Sequence, residues 1–337
     1  MYQINECKMI RAAKDSLLYS KPERSMFSEC MIFVLVTFIC SIPQSIISMV
    51  YSLVTMLSDP EYYKLIFSAT TDADDINQYV TNFSLSIPTW LYAAILASSG
   101  FMILGALIYC KKSQKRSPFT LGFNKRGVLP EYLAGAVIGL IMISLPALAC
   151  YFSGCVTYKF ESNVNPIMIA IFFGAFLLQG MGEEALFRGY LMTGLARRNN
   201  VWVAIIVSAL IFAAFHMSNP NFSIIAFINI TLFGIFAGVY MLKRGSIWGI
   251  GAIHSIWNFA QSNLFGFNVS GNPKFDTVFS SENANFGTIL SGGDFGLEGG
   301  LGATIVLLIA ILLTLLAPTK ESELCYNDPP QQFEKED

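Results

Sequence analysis

Five ionisable side chains lie well inside long apolar runs of this chain: Glu183, Glu184, Arg188, His216 and His254. A charge in such a run is costly in a bilayer and tends to be retained for function. The five fall in three short patterns: GEEALFRGYL from Gly182 to Leu191, FAAFH from Phe212 to His216, and HSIWN from His254 to Asn258. The chain has 2 histidines, and both are here. Glu184 and Arg188 are four residues apart, so on a helix they share a face and can pair. Glu183 points about 100° away and is free for a different partner. His254 and Asn258, also four apart, can act side by side. A carboxylate held away from bulk water can serve as a general base. An imidazole can share that task or hold the same water, and an imidazole beside an amide offers donors to an oxyanion. Such a set suits hydrolysis of an amide by an activated water. Glu183, His216 and His254 are equally a ligand set for zinc or another divalent metal, so these residues leave a metal-assisted and a metal-free route open.

Blander readings exist for each residue alone. An intramembrane histidine is often an interhelical hydrogen-bonding group. Glu184 with Arg188 can be a purely structural ion pair. Phe212, Phe215 and Trp257 read as packing residues. Two glutamates, two histidines and an asparagine on three successive apolar runs favour a site over five separate accidents.

The elements that must position them are membrane helices. The chain is 54% hydrophobic and 13% charged, against about 25% charged in soluble domains. Roughly 20 apolar residues span a bilayer as a helix. Eight runs qualify, giving an all-α polytopic membrane protein with about eight transmembrane helices. They are Cys30 to Leu57, Ile87 to Tyr109, Glu131 to Phe152, Pro166 to Ala196, Val201 to Met217, Phe222 to Leu242, Ser246 to Leu264 and Leu301 to Ala317. The fourth is longer than a span needs, which predicts a tilt, a projection beyond the membrane, or a kink near Gly180 and Gly182. With a turn at Asn199-Asn200, Glu183 lies about 22 Å and His216 about 27 Å from it. Both are then well inside the bilayer. By the same rise, His254 and Asn258 sit about 15 and 21 Å past Arg244.

Basic residues set the orientation. Lys8, Arg11, Lys14, Lys21, Arg24, Lys111, Lys112, Lys115, Arg116, Lys125, Arg126, Arg197, Arg198, Lys243, Arg244, Lys320 and Lys335 fall on one side. Only Lys64, Lys159 and Lys274 fall on the other. This bias places both termini in the cytoplasm. Residues 1–28 then form a cytoplasmic arm, 29–317 the membrane domain with a core at about 166–262, and 318–337 a polar, disordered tail. The segments Ser58 to Ser86 and Phe265 to Gly300 read as outer loops, with a lid over the site as the alternative. The net charge of -2 and the lack of a basic block among aromatics argue against nucleic acid. The 7 cysteines show no zinc spacing and sit mostly in apolar runs, so no disulfide framework is expected. No secretory signal is read in the first 28 residues.

The patterns EExxxR, FxxxH and HxxxN, in this order on successive apolar runs, resemble the CAAX protease and bacteriocin-processing (CPBP) family, the Abi-type intramembrane proteases. Gly189-Tyr190-Leu191 and the GGDFGLEGG segment ending at Gly300 are also similar to its bacterial members. The resemblance covers roughly Pro166 to Ser262. It implies that Glu183 activates water with His216, that His254 and Asn258 stabilise the oxyanion, and that Glu184 and Arg188 support the site. Members are called metalloproteases, and a metal-free, glutamate-dependent route is also argued for them. Bacterial members are linked to bacteriocin self-immunity, peptide maturation and surface-protein processing. The expectation is therefore an intramembrane endopeptidase acting on a membrane protein or peptide in the lipid bilayer. Two rivals are a non-catalytic immunity or scaffold protein of the same fold, and a proton-coupled transporter. The transporter ranks last, because the chain shows no internal repeat.

Overall fold

The apolar runs fold as helices whose ends are written in the sequence. The computed structural model describes residues 7–19, 24–67, 87–284 and 288–318. In chain order the main helices are α1 (Lys8–Asp15), α2 (Met26–Ser58), α3 (Pro60–Phe67), α4 (Thr89–Ala97), α5 (Gly100–Ser113), α6 (Val128–Phe152), α7 (Pro166–Glu184), α8 (Val201–Phe215), α9 (Ile224–Arg244), α10 (Trp248–Phe259) and α11 (Leu301–Leu316). The Ser25 hydroxyl accepts the Ser28 N–H to start α2. Asn165 does the same for α7, with Pro166 at the first helical position, where its missing N–H costs nothing. Gly245, at φ 60°, closes α9 in the left-handed conformation that glycine adopts without strain.

Five stretches are long and apolar enough to cross a membrane: Met26–Ser58, Thr89–Ser113, Val128–Phe152, Pro166–Ala196 and Ile224–Arg244. Val201–Phe215 and Leu301–Leu316 are shorter apolar helices, and α10 is extended by Ala260–Leu264. The protein is thus a polytopic membrane protein, though three of the eight expected spans are shorter than the sequence reading gave them. Leu133, Val137, Ile141 and Leu145 form an exposed i, i+4 stripe along α6, a face suited to lipid rather than water. Beside the helices there is one small sheet: β1 (Val156–Phe160) pairs antiparallel with β2 (Phe279–Asn283). Strand β2 falls in the expected outer loop from Phe265 to Gly300, and β1 between the third and fourth expected spans.

Two helices approach so closely that only glycine fits. A Cβ on Gly135 of α6 would lie 2.2 Å from the Gly249 carbonyl oxygen of α10, and one on Gly139 would lie 2.6 Å from that of Ile253. Small residues four apart let membrane helices pack backbone to backbone. The long fourth run allows three readings, a tilt, a projection or a kink near Gly180 and Gly182, and α7 shows no break at the two glycines. Its α-helix runs through both, and a π-helix follows over Ala185–Met192 before one more turn, Thr193–Ala196. The two glycines admit neighbours instead: a Cβ on Gly180 would lie 2.6 Å from the Ser255 backbone nitrogen, and one on Gly182 2.4 Å from the Ser99 carbonyl oxygen. Ser98 and Ser99 are where the second apolar run breaks into α4 and α5.

The basic segments gather at one end of the bundle. Arg198 reaches the Arg24 carbonyl and Glu29. Gln114 donates to Glu29, and Arg116 donates to the carbonyls of Gly189 and Tyr190. Arg244 pairs with Glu131, and Lys243 donates to the carbonyls of Leu315 and Ala317. Helix α1, within the expected arm, buries Met9, Ile10 and Ala13. The expected tail beyond Pro318 and most of the acidic outer segment, 68–86, lie outside the described residues.

Candidate active site

Glu183, His216, His254 and Asn258 all line one cavity of about 490 Å³. Its walls are strongly aromatic, including Tyr92, Phe176, Phe187, Phe212, Phe233 and Trp257. Phe212, Phe215 and Trp257, read from the sequence as packing residues, therefore face this cavity as well.

A chain of amides aims Glu183. Gln179, one turn earlier on α7, donates from Nε2 to Glu183 Oε1 at 2.6 Å. An ionised carboxylate only accepts, so Gln179 must turn its amide nitrogen to Glu183 and its oxygen away. That oxygen accepts from Asn258 Nδ2 at 2.9 Å. Asn258 is thereby oriented with its nitrogen inward and one N–H still unspent. The other Glu183 oxygen, Oε2, is buried and has no hydrogen-bond donor. It lies 3.6 Å from His254 Nε2, a separation beyond direct hydrogen bonding at which a water can touch both atoms.

The second glutamate serves the histidine. Glu184 Oε1 accepts from Arg188 Nη1 at 3.1 Å and from His254 Nδ1 at 2.8 Å. Glu184 is 0% and Arg188 1% exposed, so this is a fully buried pair, and the helical spacing of four foretold it. The Arg188 guanidinium also stacks 4.4 Å from the centroid of Phe212. Because Nδ1 of His254 must carry a proton to meet a carboxylate, its Nε2 donates only when the ring is cationic. His216, the residue closing α8, pins Nδ1 on the Phe212 carbonyl oxygen at 2.8 Å. Its Nε2 is then the basic nitrogen.

Residues 165–260 match the family described as Rce1-like, type II CAAX prenyl endopeptidase Rce1-like. The chain carries an Rce1-like domain. It is a domain of a peptidase family, the one whose motifs the sequence resembles. No curated protein and no solved structure matches the chain.

The Rce1-like domain holds all six residues singled out in the sequence. The cavity extends beyond it. Thr37, Ser41 and Gln44 of α2 form part of one wall, and Ser270 and Glu298 come from the segment between α10 and α11. Glu298 Oε2 accepts from both the backbone N–H of Ser270, at 2.9 Å, and its hydroxyl, at 2.6 Å. Burial pushes the Glu298 carboxyl up from its ordinary value, while the Ser270 hydroxyl and the nearby His216 and His254 pull it down. Gln179 and Glu298 were not picked out from the sequence. Gln179 had a signal: a polar residue four before Glu183 in an apolar run. Glu298 lay inside the noted GGDFGLEGG segment, but nothing in its spacing tied it to a site more than forty residues earlier.

A metal fits this arrangement poorly. Among the described residues, no three His, Cys, Asp or Glu side chains are grouped to hold an ion. Glu183, His216 and His254 share the cavity, yet both nitrogens of His254 are turned to carboxylates and His216 is committed to its own helix through Nδ1.

Proposed function

We propose that the Rce1-like domain is an intramembrane endopeptidase that hydrolyses a peptide bond in a membrane-associated protein or peptide by a glutamate-dependent route. The observation that carries this reading is Glu183: one oxygen is fixed by Gln179, and the other is buried without a donor beside His254 Nε2. A buried acceptor of this kind is where a water's O–H points.

In this reading Glu183 takes a proton from the water as its oxygen bonds to the scissile carbonyl carbon. His216 holds the same water through its basic nitrogen. The carbonyl oxygen gains the negative charge, and His254 in its cationic form and the unspent N–H of Asn258 donate to it. When the C–N bond breaks, Glu183 returns its proton to the leaving amine. Glu184 and Arg188 touch none of the reacting atoms; Glu184 orients His254, and Arg188 holds Glu184 in place. The basic end of the bundle is the cytoplasmic end, with eight crossings and both termini on that side.

The test is comparative proteomics of membrane peptides from cells making the wild-type protein or Glu183→Gln. New peptide termini that depend on Glu183 are expected. Identical sets of termini from the two strains would point to a scaffold that binds without cutting.

A further inference from the structure

The hydrolysis derived above uses one cavity carboxylate, and the cavity has two. Glu184 is balanced by Arg188 and lies outside the lining. That leaves Glu183 and Glu298 facing the space, together with His216 and His254; no Lys or Arg is among the lining residues. Glu298 is built in rather than incidental. Its Oε2 takes both donors of Ser270, a residue held at φ 49°, in the left-handed region that few non-glycine residues adopt. Its own carbonyl accepts from Asn229 Nδ2 of α9 at 2.7 Å. Both Ser270 donors go to Oε2, which leaves Oε1 available to the cavity. A carboxylate with one oxygen anchored and one available, in a pocket whose described lining residues include no Lys or Arg, favours a cationic occupant.

We propose that Glu298 selects substrates that carry a positive amine or guanidinium near the scissile bond. The proposal rests on the peptidase reading. The cation is either a lysine or arginine side chain or a free α-amino group, which present the same chemistry to Oε1. The rest of the cavity wall, aromatic and hydroxyl-bearing, would take the neutral remainder of the peptide.

The test uses the full-length protein in lipid nanodiscs and four sets of otherwise matched amphipathic peptides. One set is N-acetylated with a single lysine, one N-acetylated with norleucine in its place, one carries norleucine with a free N-terminus, and one is N-acetylated with glutamate. Affinity is measured on Glu183→Gln, in which turnover should fall at least ~10²-fold, and turnover on the protein with Glu183 intact. At least one of the two cationic sets should bind tenfold or more tighter than the acetylated norleucine set, and which one does so identifies the source of the charge. Adding Glu298→Gln should reduce that preference to within twofold without lowering the melting temperature, because the amide oxygen still accepts from Ser270. If that variant fails to accumulate, the glutamate set decides on the Glu183→Gln protein alone: it should bind at least tenfold more weakly than norleucine. Equal affinity for cationic and neutral sets, or a preference that survives Glu298→Gln, overturns the proposal. Cation-selective binding without cleavage of any set would uphold the role of Glu298 and count against the peptidase reading instead.

Discussion

Two adjacent glutamates meet different partners, and substitution should separate the roles proposed for them. Glu183→Gln keeps size and hydrogen-bonding capacity but cannot take a proton. It should fold with an unchanged melting temperature and lose at least the ~10²-fold in turnover typical of removing a general base. Glu184→Gln weakens two partners at once, Arg188 and His254, both hardly exposed. Leaving Arg188 uncompensated costs on the order of 3–5 kcal/mol, so poor accumulation and a lowered melting temperature are expected. Combining Glu184→Gln with Arg188→Met should restore part of that stability. Melting in detergent and turnover of a peptide substrate check all three variants. A stable, inactive Glu184→Gln beside an active Glu183→Gln would reverse the roles. Helical spacing made the Glu184–Arg188 pair legible in the sequence, because the two are on one helix and the geometry is local. The contact of His254 with both glutamates was not legible: it depends on how α10 packs against α7, across about seventy residues of chain. Loss of metal gives a further check. Since no three suitable ligands are grouped among the described residues, exhaustive chelation should leave turnover within twofold, with elemental analysis reporting no stoichiometric ion. Activity that disappears with the ion and returns with it would overturn the metal-free route.

At the scale of helices, the site depends on how closely α7 and α10 approach. Gly180 meets the Ser255 backbone, one residue from His254, and Gly182 meets Ser99. Gly180→Ala must push the two helices apart, a strain of about 1–3 kcal/mol, and would move Glu183 away from His254. Gly174 on the same helix has open space where a side chain would go. Gly174→Ala should be neutral or slightly stabilising, by up to about 1 kcal/mol, as expected where alanine replaces glycine within a helix. Turnover should fall at least tenfold in the first variant and hold in the second. Equal behaviour of the two would show that the approach at Gly180 is not critical. The sequence led to these glycines through the length of the run, with a kink as one of three readings. Hydropathy reports that a segment is a helix; it does not distinguish a glycine that bends a helix from one that lets a neighbour in. The π-helix over Ala185–Met192 was equally silent. Its backbone is met by Arg116, which donates to the carbonyls of Gly189 and Tyr190, an arrangement set by a residue seventy positions away. π-helical turns recur beside functional residues, and this one begins directly after Glu184.

For the whole molecule, the bias of basic residues predicts sidedness, and the gathering of those segments at one end of the bundle makes the prediction a single choice of direction. Lys112 is exposed at that end. In a background without native cysteines, Lys112→Cys should react with an impermeant maleimide only after the membrane is opened. Ready labelling of intact cells would invert the topology. That the chain is polytopic and helical was legible because bilayer thickness sets helix length, although five stretches rather than eight reach crossing length; the β1–β2 pairing was not legible, because its strands are five residues each and more than a hundred residues apart. The division of labour in the cavity has a consequence for how such proteins diverge. The residues proposed to break the bond all lie within 165–260, while Thr37, Ser41, Gln44 and Glu298, which line the same cavity, lie outside it. A duplicated copy of this protein could therefore drift toward a new diet by changing α2 and the segment before α11, with its cutting chemistry left untouched.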